Sequence, residues 1–168
     1  MPKRILAADL TTNPSLLTRR REYLTANRRL ISAGGTIDQL FISFADDLAR
    51  EEYARELLKL ITHHRKLGVT CGLAVRDRLR ADQAVDVIII AAAAVLVEEE
   101  QGDVDYTKGR SSVYFKGAER WIGRFESVWG HGADAAPRLL QRYEATVRPM
   151  PDGDTWDTDR VRQTVDAL

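Results

Sequence analysis

Residues 36–75 read TIDQLFISFADDLAREEYARELLKLITHHRKLGVTCGLAV, and this stretch decides the fold. Thr36 to Ser43 is short and carries Ile37, Leu40, Phe41 and Ile42, the composition of a strand. Asp46 and Asp47 then open a helix, with Glu51 and Glu52 in its first turns, where negative charge complements the positive N-terminal end. Tyr53, Leu57, Leu60, Ile61 and Leu67 recur at helical spacing and mark one apolar face. His63, His64, Arg65 and Lys66 crowd the last turns, the charge a helix C-terminus favours, and Gly68 stops the helix. Val69 to Val75 follows at once as a second strand. A strand, a helix and a strand in this order predict two parallel neighbours joined by a crossover.

On the N-terminal side the pattern repeats. Arg4 to Leu10 reads as a strand ending near Asp9. Asn13 and Pro14 then form a helix start, a cap followed by proline at the first helical position. Leu16, Leu17, Tyr23, Leu24, Leu30 and Ile31 carry an apolar stripe up to Gly34-Gly35. On the C-terminal side, Arg76 to Gln83 is a charged loop. Ala84 to Glu100 holds two apolar runs, VDVIII and AVLVEEE, joined near Ala91 to Ala94. Their isoleucine and valine content favours a hairpin, although four alanines supply no turn residue. Gln101 to Gly109 is a polar loop, and Ser111 to Lys116 is a further strand. Ala118 to Trp129 is a helix whose core face is Trp121, Ile122, Phe125, Val128 and Trp129. A last helix runs from Ala133 to Val147. Leu40, Ile42, Leu57, Ile61, Val69, Leu73, Ile88, Ile90, Trp121 and Phe125 are the expected core. Residues 1–147 thus read as one α/β domain, a mixed, largely parallel sheet with flanking helices. Residues 148–168, with two prolines and five aspartates, read as a polar, mobile tail with a short helix from Asp157.

Twenty-five basic residues balance twenty-five acidic ones, so no bulk attraction to nucleic acid or an anionic membrane is expected. The apolar stretch before Asp9 is shorter than the ~7–15 residues of a secretory leader. The run from Val87 to Val97 falls below the ~18 residues that span a bilayer. The cytoplasm is the expected location. Cys71, the single cysteine, sits in an apolar run and reads as an inert core thiol.

Motifs that carry chemistry are scarce. The sequence holds no phosphate-binding glycine loop, no CxxC, no HExxH and no GxSxG. His64 shares the face of Leu57, Leu60 and Ile61 and reads as a satisfied, half-buried side chain. His63 points to solvent, and His131 sits in a glycine turn. No metal site and no cofactor is expected. Arg20 and Asn27 interrupt the stripe of the first helix. Arg20 is either a buried arginine with a carboxylate partner or an anion-binding arginine facing a pocket.

The order of these elements resembles one repeat of the phospholipase D superfamily. The strand ending in Ala8-Asp9-Leu10, the long helix, Thr36–Ser43, the helix closing in His64-Arg65-Lys66-Leu67-Gly68-Val69 and the pair VDVIIIAAAAVLVEEE carry the likeness, over residues 4–130. It is similar above all to degenerate versions attached to bacterial, often actinobacterial, regulatory proteins. The family's catalytic H-x-K-x4-D pattern is absent. Registers on Ala84, Asp86 and Ala91, or on Val85, Val87 and Ala92, lack a nucleophile. His64 and Lys66 have the H-x-K spacing but lead to Cys71. The resemblance therefore implies the scaffold of a single repeat without phosphodiesterase activity.

Two functions fit. The first is a non-catalytic ligand-sensing or protein-interaction domain, regulatory in role. The second is a small enzyme of specialised metabolism with its site at the carboxyl ends of the strands, where open α/β sheets bind ligands. The polar residues placed there are Asp9, Ser43, Arg76 and Asp77. Arg110, Tyr114 and Lys116 on the late strand are available to join them, with Arg20 from the first helix. A small molecule or a protein is the expected partner. A homodimer is also expected, because single repeats of this family pair and Trp121 and Trp129 share a helical face. Nucleic acid and membrane are not.

Overall fold

The computed structural model describes residues 3–15, 21–98, 111–150 and 155–168; Arg20 and Arg110 lie outside them. Strand β1 (Arg4–Leu10), helix α1 (Arg21–Ser32) and strand β2 (Thr36–Ser43) open the fold. β1 and β2 pair in parallel from Arg4 opposite Thr36 to Leu10 opposite Ile42. The helix expected between Asp46 and Leu67 is two: α2 (Ala45–Leu48) and α3 (Glu51–Lys66). Arg50 between them is extended, at φ −86° and ψ 127°. β3 (Thr70–Val75) follows and pairs in parallel with β2. Gly68, at φ +90°, makes the left-handed turn that ends α3.

The second half of the sheet is antiparallel. β4 (Asp86–Ile90) runs against β1, β5 (Ala94–Glu98) against β4, and β6 (Ser111–Tyr114) against β5. The order across the sheet is β3-β2-β1-β4-β5-β6. The sheet is mixed, and its parallel part is confined to β1–β3, because β4 enters beyond β1 and runs antiparallel to it. The hairpin of β4 and β5 turns on alanines, as the isoleucine and valine runs predict. Ala91 and Ala92 hold φ +49° and +57°, and Ala93 N–H donates to the Ile90 carbonyl. Positive φ at both central residues is the habit of a type I′ turn, which suits strand twist but is costly for a side chain with a Cβ.

Alternation divides the core in two. On one face Ile37, Phe41, Cys71, Leu73 and Val75 meet Tyr53, Leu57, Leu60 and Ile61 of α3, with Leu30 and Ile31 of α1 alongside. On the other, Leu6, Ala8, Leu40, Ile42, Val87, Ile89, Val95 and Val97 pack beneath α4 (Ala118–Trp129), which buries Ala118 and Phe125. Helix α5 (Ala136–Val147) covers the β3 edge. It lays Leu140, Tyr143 and Val147 into the first cluster and Ala136 into the second. The approach is close enough that a Cβ on Gly72 would lie 2.7 Å from Ala136 Cβ and 2.9 Å from the Trp129 ring.

Three expected core residues differ. Ile90 is 42% exposed, and Ile88 and Trp121 are half-buried. Ile88 and Ile90 alternate onto the face of α1 and α3, and those helices pack over β1–β3 instead. The C-terminal residues, expected to form a mobile tail, carry a docked helix, α6 (Thr158–Asp166), in which Val161 and Val165 are buried in the first cluster. Arg78 donates to the carbonyls of Val165 and Asp166 at its end, and Trp156 Nε1 donates to the Ala49 carbonyl at 3.3 Å. Two valines at helical spacing supply the apolar face that aspartate and proline content conceals.

Candidate functional site

The order of the strands reverses between β1 and β4, and the carboxyl end of β1 meets the start of β4 there. Ala8 opposes Val87, so the next pair along the ladder is Asp9 and Asp86, on one face of the sheet. Asp86 in turn opposes Glu98 on β5. Three carboxylates on three adjacent strands therefore form a row. Asp86 is 5% exposed, and its Oδ1 accepts the Leu10 N–H at 2.6 Å. Asp9 is half-buried.

Burial pushes the Asp9 carboxyl well above the ordinary aspartate range, and the charge of Asp86 and the hydrogen bond to it push the same way. Glu98 adds to the rise, and the Thr11 hydroxyl, which donates to Asp9 Oδ2 at 3.0 Å, opposes it. Two carboxyls this close favour sharing one proton over carrying two charges. Behind Asp9 the polar contacts continue. Buried Tyr53 donates its hydroxyl to the Thr11 carbonyl and lies 2.7 Å from Ser43 Oγ. Burial is the main cause that raises the Tyr53 phenol above its ordinary value.

Asp9 and Ser43, both expected at the carboxyl ends, are thus joined through Thr11 and Tyr53. Arg76 and Asp77 occupy the same end of the sheet with other tasks. The Arg76 guanidinium lies 4.5 Å above the Phe44 ring, and Asp77 Oδ2 accepts the Ala45 N–H at 2.8 Å. Tyr114 and Lys116 do not join. β6 runs antiparallel, so Tyr114 opposes Val95 rather than Glu98, and its ring stacks on Trp121 across the sheet from Asp9. Lys116 follows it, exposed. Reading the sequence overlooked Thr11, Tyr53, Asp86 and Glu98. Asp86 opening an otherwise apolar strand was the available signal, and only the antiparallel register gives it meaning.

His64 and Cys71 lie in the core, away from this row. His64 is 1% exposed, stands edge-on to Phe41 and bonds the Leu60 carbonyl through Nδ1 at 2.9 Å. Burial lowers its pKa, and the nearby His63 adds to the drop, against the Leu60 carbonyl. Burial pushes the Cys71 thiol up to about 12. Among the described residues no group of three or more histidine, cysteine, aspartate or glutamate side chains could hold a metal ion, and no helix is long and apolar enough to cross a membrane. Comparison of the chain with protein-family models, with curated proteins and with solved structures finds no match.

Proposed function

We propose that this chain is a ligand-sensing domain on a phospholipase D-like scaffold, without phosphodiesterase activity, and that it binds its ligand at the carboxyl end of β1. The observation that carries the reading is the Asp9–Asp86 pair at the point where strand order reverses, the usual place for a ligand in an open α/β sheet. Asp9 stands near the end of β1, and Asp86 and Glu98 extend the acidic row beside it. Such a row orients a small ligand bearing an ammonium or guanidinium group, which replaces the shared proton as the partner of the two carboxylates. Neither the Cys71 thiol nor the His64 imidazole belongs to the cluster, in keeping with binding rather than covalent chemistry.

Thermal denaturation with putrescine and agmatine at pH 7.5 tests this. Both probes should raise the melting temperature of the wild type and lose that effect in Asp86→Asn. Equal stabilisation of wild type and variant, or none of either, would overturn the reading.

The raised Asp9 carboxyl beside Asp86 also suits the second reading, an acid–base pair in a small enzyme. The two readings part on Asp9→Asn. A sensor keeps ligand affinity within a few-fold through Asp86, whereas an enzyme binds substrate and no longer turns it over.

A further inference from the structure

A second polar feature lies well away from the acidic row. An open groove of about 500 Å³ runs along the outer face of α3 and reaches the residue after α5. Arg55, Lys59, His63, Lys66 and Arg148 line it, with the Thr62 hydroxyl between them. No carboxylate lines it among the described residues, in a chain whose charges balance. The acids that neutralise part of this charge sit outside the groove. Glu51 holds Arg55 at 2.5 Å, Glu56 holds Lys59 at 2.9 Å, and Glu144 holds Arg148 at 2.5 Å. Lys66 and His63 have no carboxylate partner among the described residues. The dipole of α3 accounts for cations in its last turn, but Arg55 and Lys59 lie earlier and Arg148 belongs to another element.

We propose that this groove binds a short oligophosphate, a small anion carrying two or more phosphoryl groups in a row. Arg55, Lys59 and Lys66 follow one side of α3 over eleven residue steps, roughly 16 Å at the rise of a helix, which suits a chain of anionic groups better than a single one. Arg148 faces them, presents a planar guanidinium to phosphate oxygens and lies 3.4 Å from Thr62 Oγ1. All of these side chains stand on regular helix or directly at its end, so their backbone positions are set before the ligand arrives.

The test is a titration with inorganic tripolyphosphate followed by amide NMR, on the wild type and on Lys59→Gln/Lys66→Gln. Both lysines are exposed, so the variant should keep the wild-type melting temperature. Saturable shifts confined to α3 and to Arg148 are expected, with affinity about tenfold or more weaker in the variant and unchanged in Arg138→Gln on the other side of α5. Three results would overturn the proposal. One is no saturable shift, and another is a variant within about twofold of wild type. The third is a single-stranded oligonucleotide that binds through the same lysines more tightly than tripolyphosphate, which would assign the groove to nucleic acid.

Discussion

Ala91 and Ala92 hold a conformation that L-residues with a Cβ adopt at a cost of roughly 1–2 kcal/mol each. Ala92→Gly should therefore stabilise the fold by about 0.5–1 kcal/mol at the hairpin, read from urea unfolding; a loss instead would mean that the turn is not left-handed. Gly72 works in the opposite sense. A methyl group there would press on Ala136 and Trp129, and Gly72→Ala should cost about 1–3 kcal/mol in the same assay. Asp9 gives a pH signature. Its folded pKa is raised, so the folded state holds the proton more tightly than the unfolded one. The Asp9 contribution to stability is then greatest in acid and is lost as pH rises above the ordinary aspartate value towards the raised one. Asp9→Asn, whose amide can still donate to Asp86, should remove that loss and melt higher than wild type at pH 7.5. A variant melting lower than wild type at every pH would contradict the shared proton. Some of this was open to sequence reading. Asp9 at the end of an apolar strand was visible, whereas the strain at Ala91 and Ala92 was not, because alanine carries no turn signal of its own.

Among the elements, α3 does most of the joining. Its apolar stripe was legible because five residues share one helical face, and Leu57, Leu60 and Ile61 are fully buried. Ile61→Ala should cost about 2–5 kcal/mol. What the stripe cannot show is how α3 holds α5. Arg65 grips Glu144 through both terminal nitrogens, at 2.8 and 2.6 Å, and Arg148, the residue just past α5, adds a bond. Burial pushes the Glu144 carboxyl up, but the two arginines more than offset it and hold it below its ordinary value. This contribution is present above the ordinary glutamate range and is lost as pH falls through the lowered pKa. Both arginines are well exposed, so screening trims its size. Glu144→Gln should cost about 1 kcal/mol at neutral pH and converge with wild type as pH falls below the ordinary glutamate range, checked by melting across pH. Partners 79 residues apart leave no periodic trace in the sequence.

For the molecule as a whole, the parallel half β1–β3 was legible because each strand is separated from the next by a helix with its own start and stop signals. The antiparallel half was legible only as a hairpin. Its docking against β1 depends on register, which composition does not encode. The two halves meet at Asp9 and Asp86, which is why one of the pair was readable and the other was not. Among the described residues, the β6 end of the sheet leaves Val113 at 53% and Phe115 at 76% exposed, whereas Trp129 is engaged by Phe125 at 5.4 Å between ring centres. The proposed homodimer therefore falls to the β6 side. Sedimentation equilibrium should give twice 18.9 kDa at micromolar concentration, and 18.9 kDa for Phe115→Asp; a wild-type mass of 18.9 kDa throughout would exclude it. The seam between the halves can be examined directly by carbon-13 NMR of the aspartate carboxyl groups as a function of pH. Asp9 should titrate well above the ordinary aspartate range in the wild type and move down towards it when Asp86 is replaced by asparagine. An Asp9 signal that titrates like an exposed aspartate in both proteins would mean that β4 does not bring Asp86 to it, and the proposed site would be lost with the register that builds it.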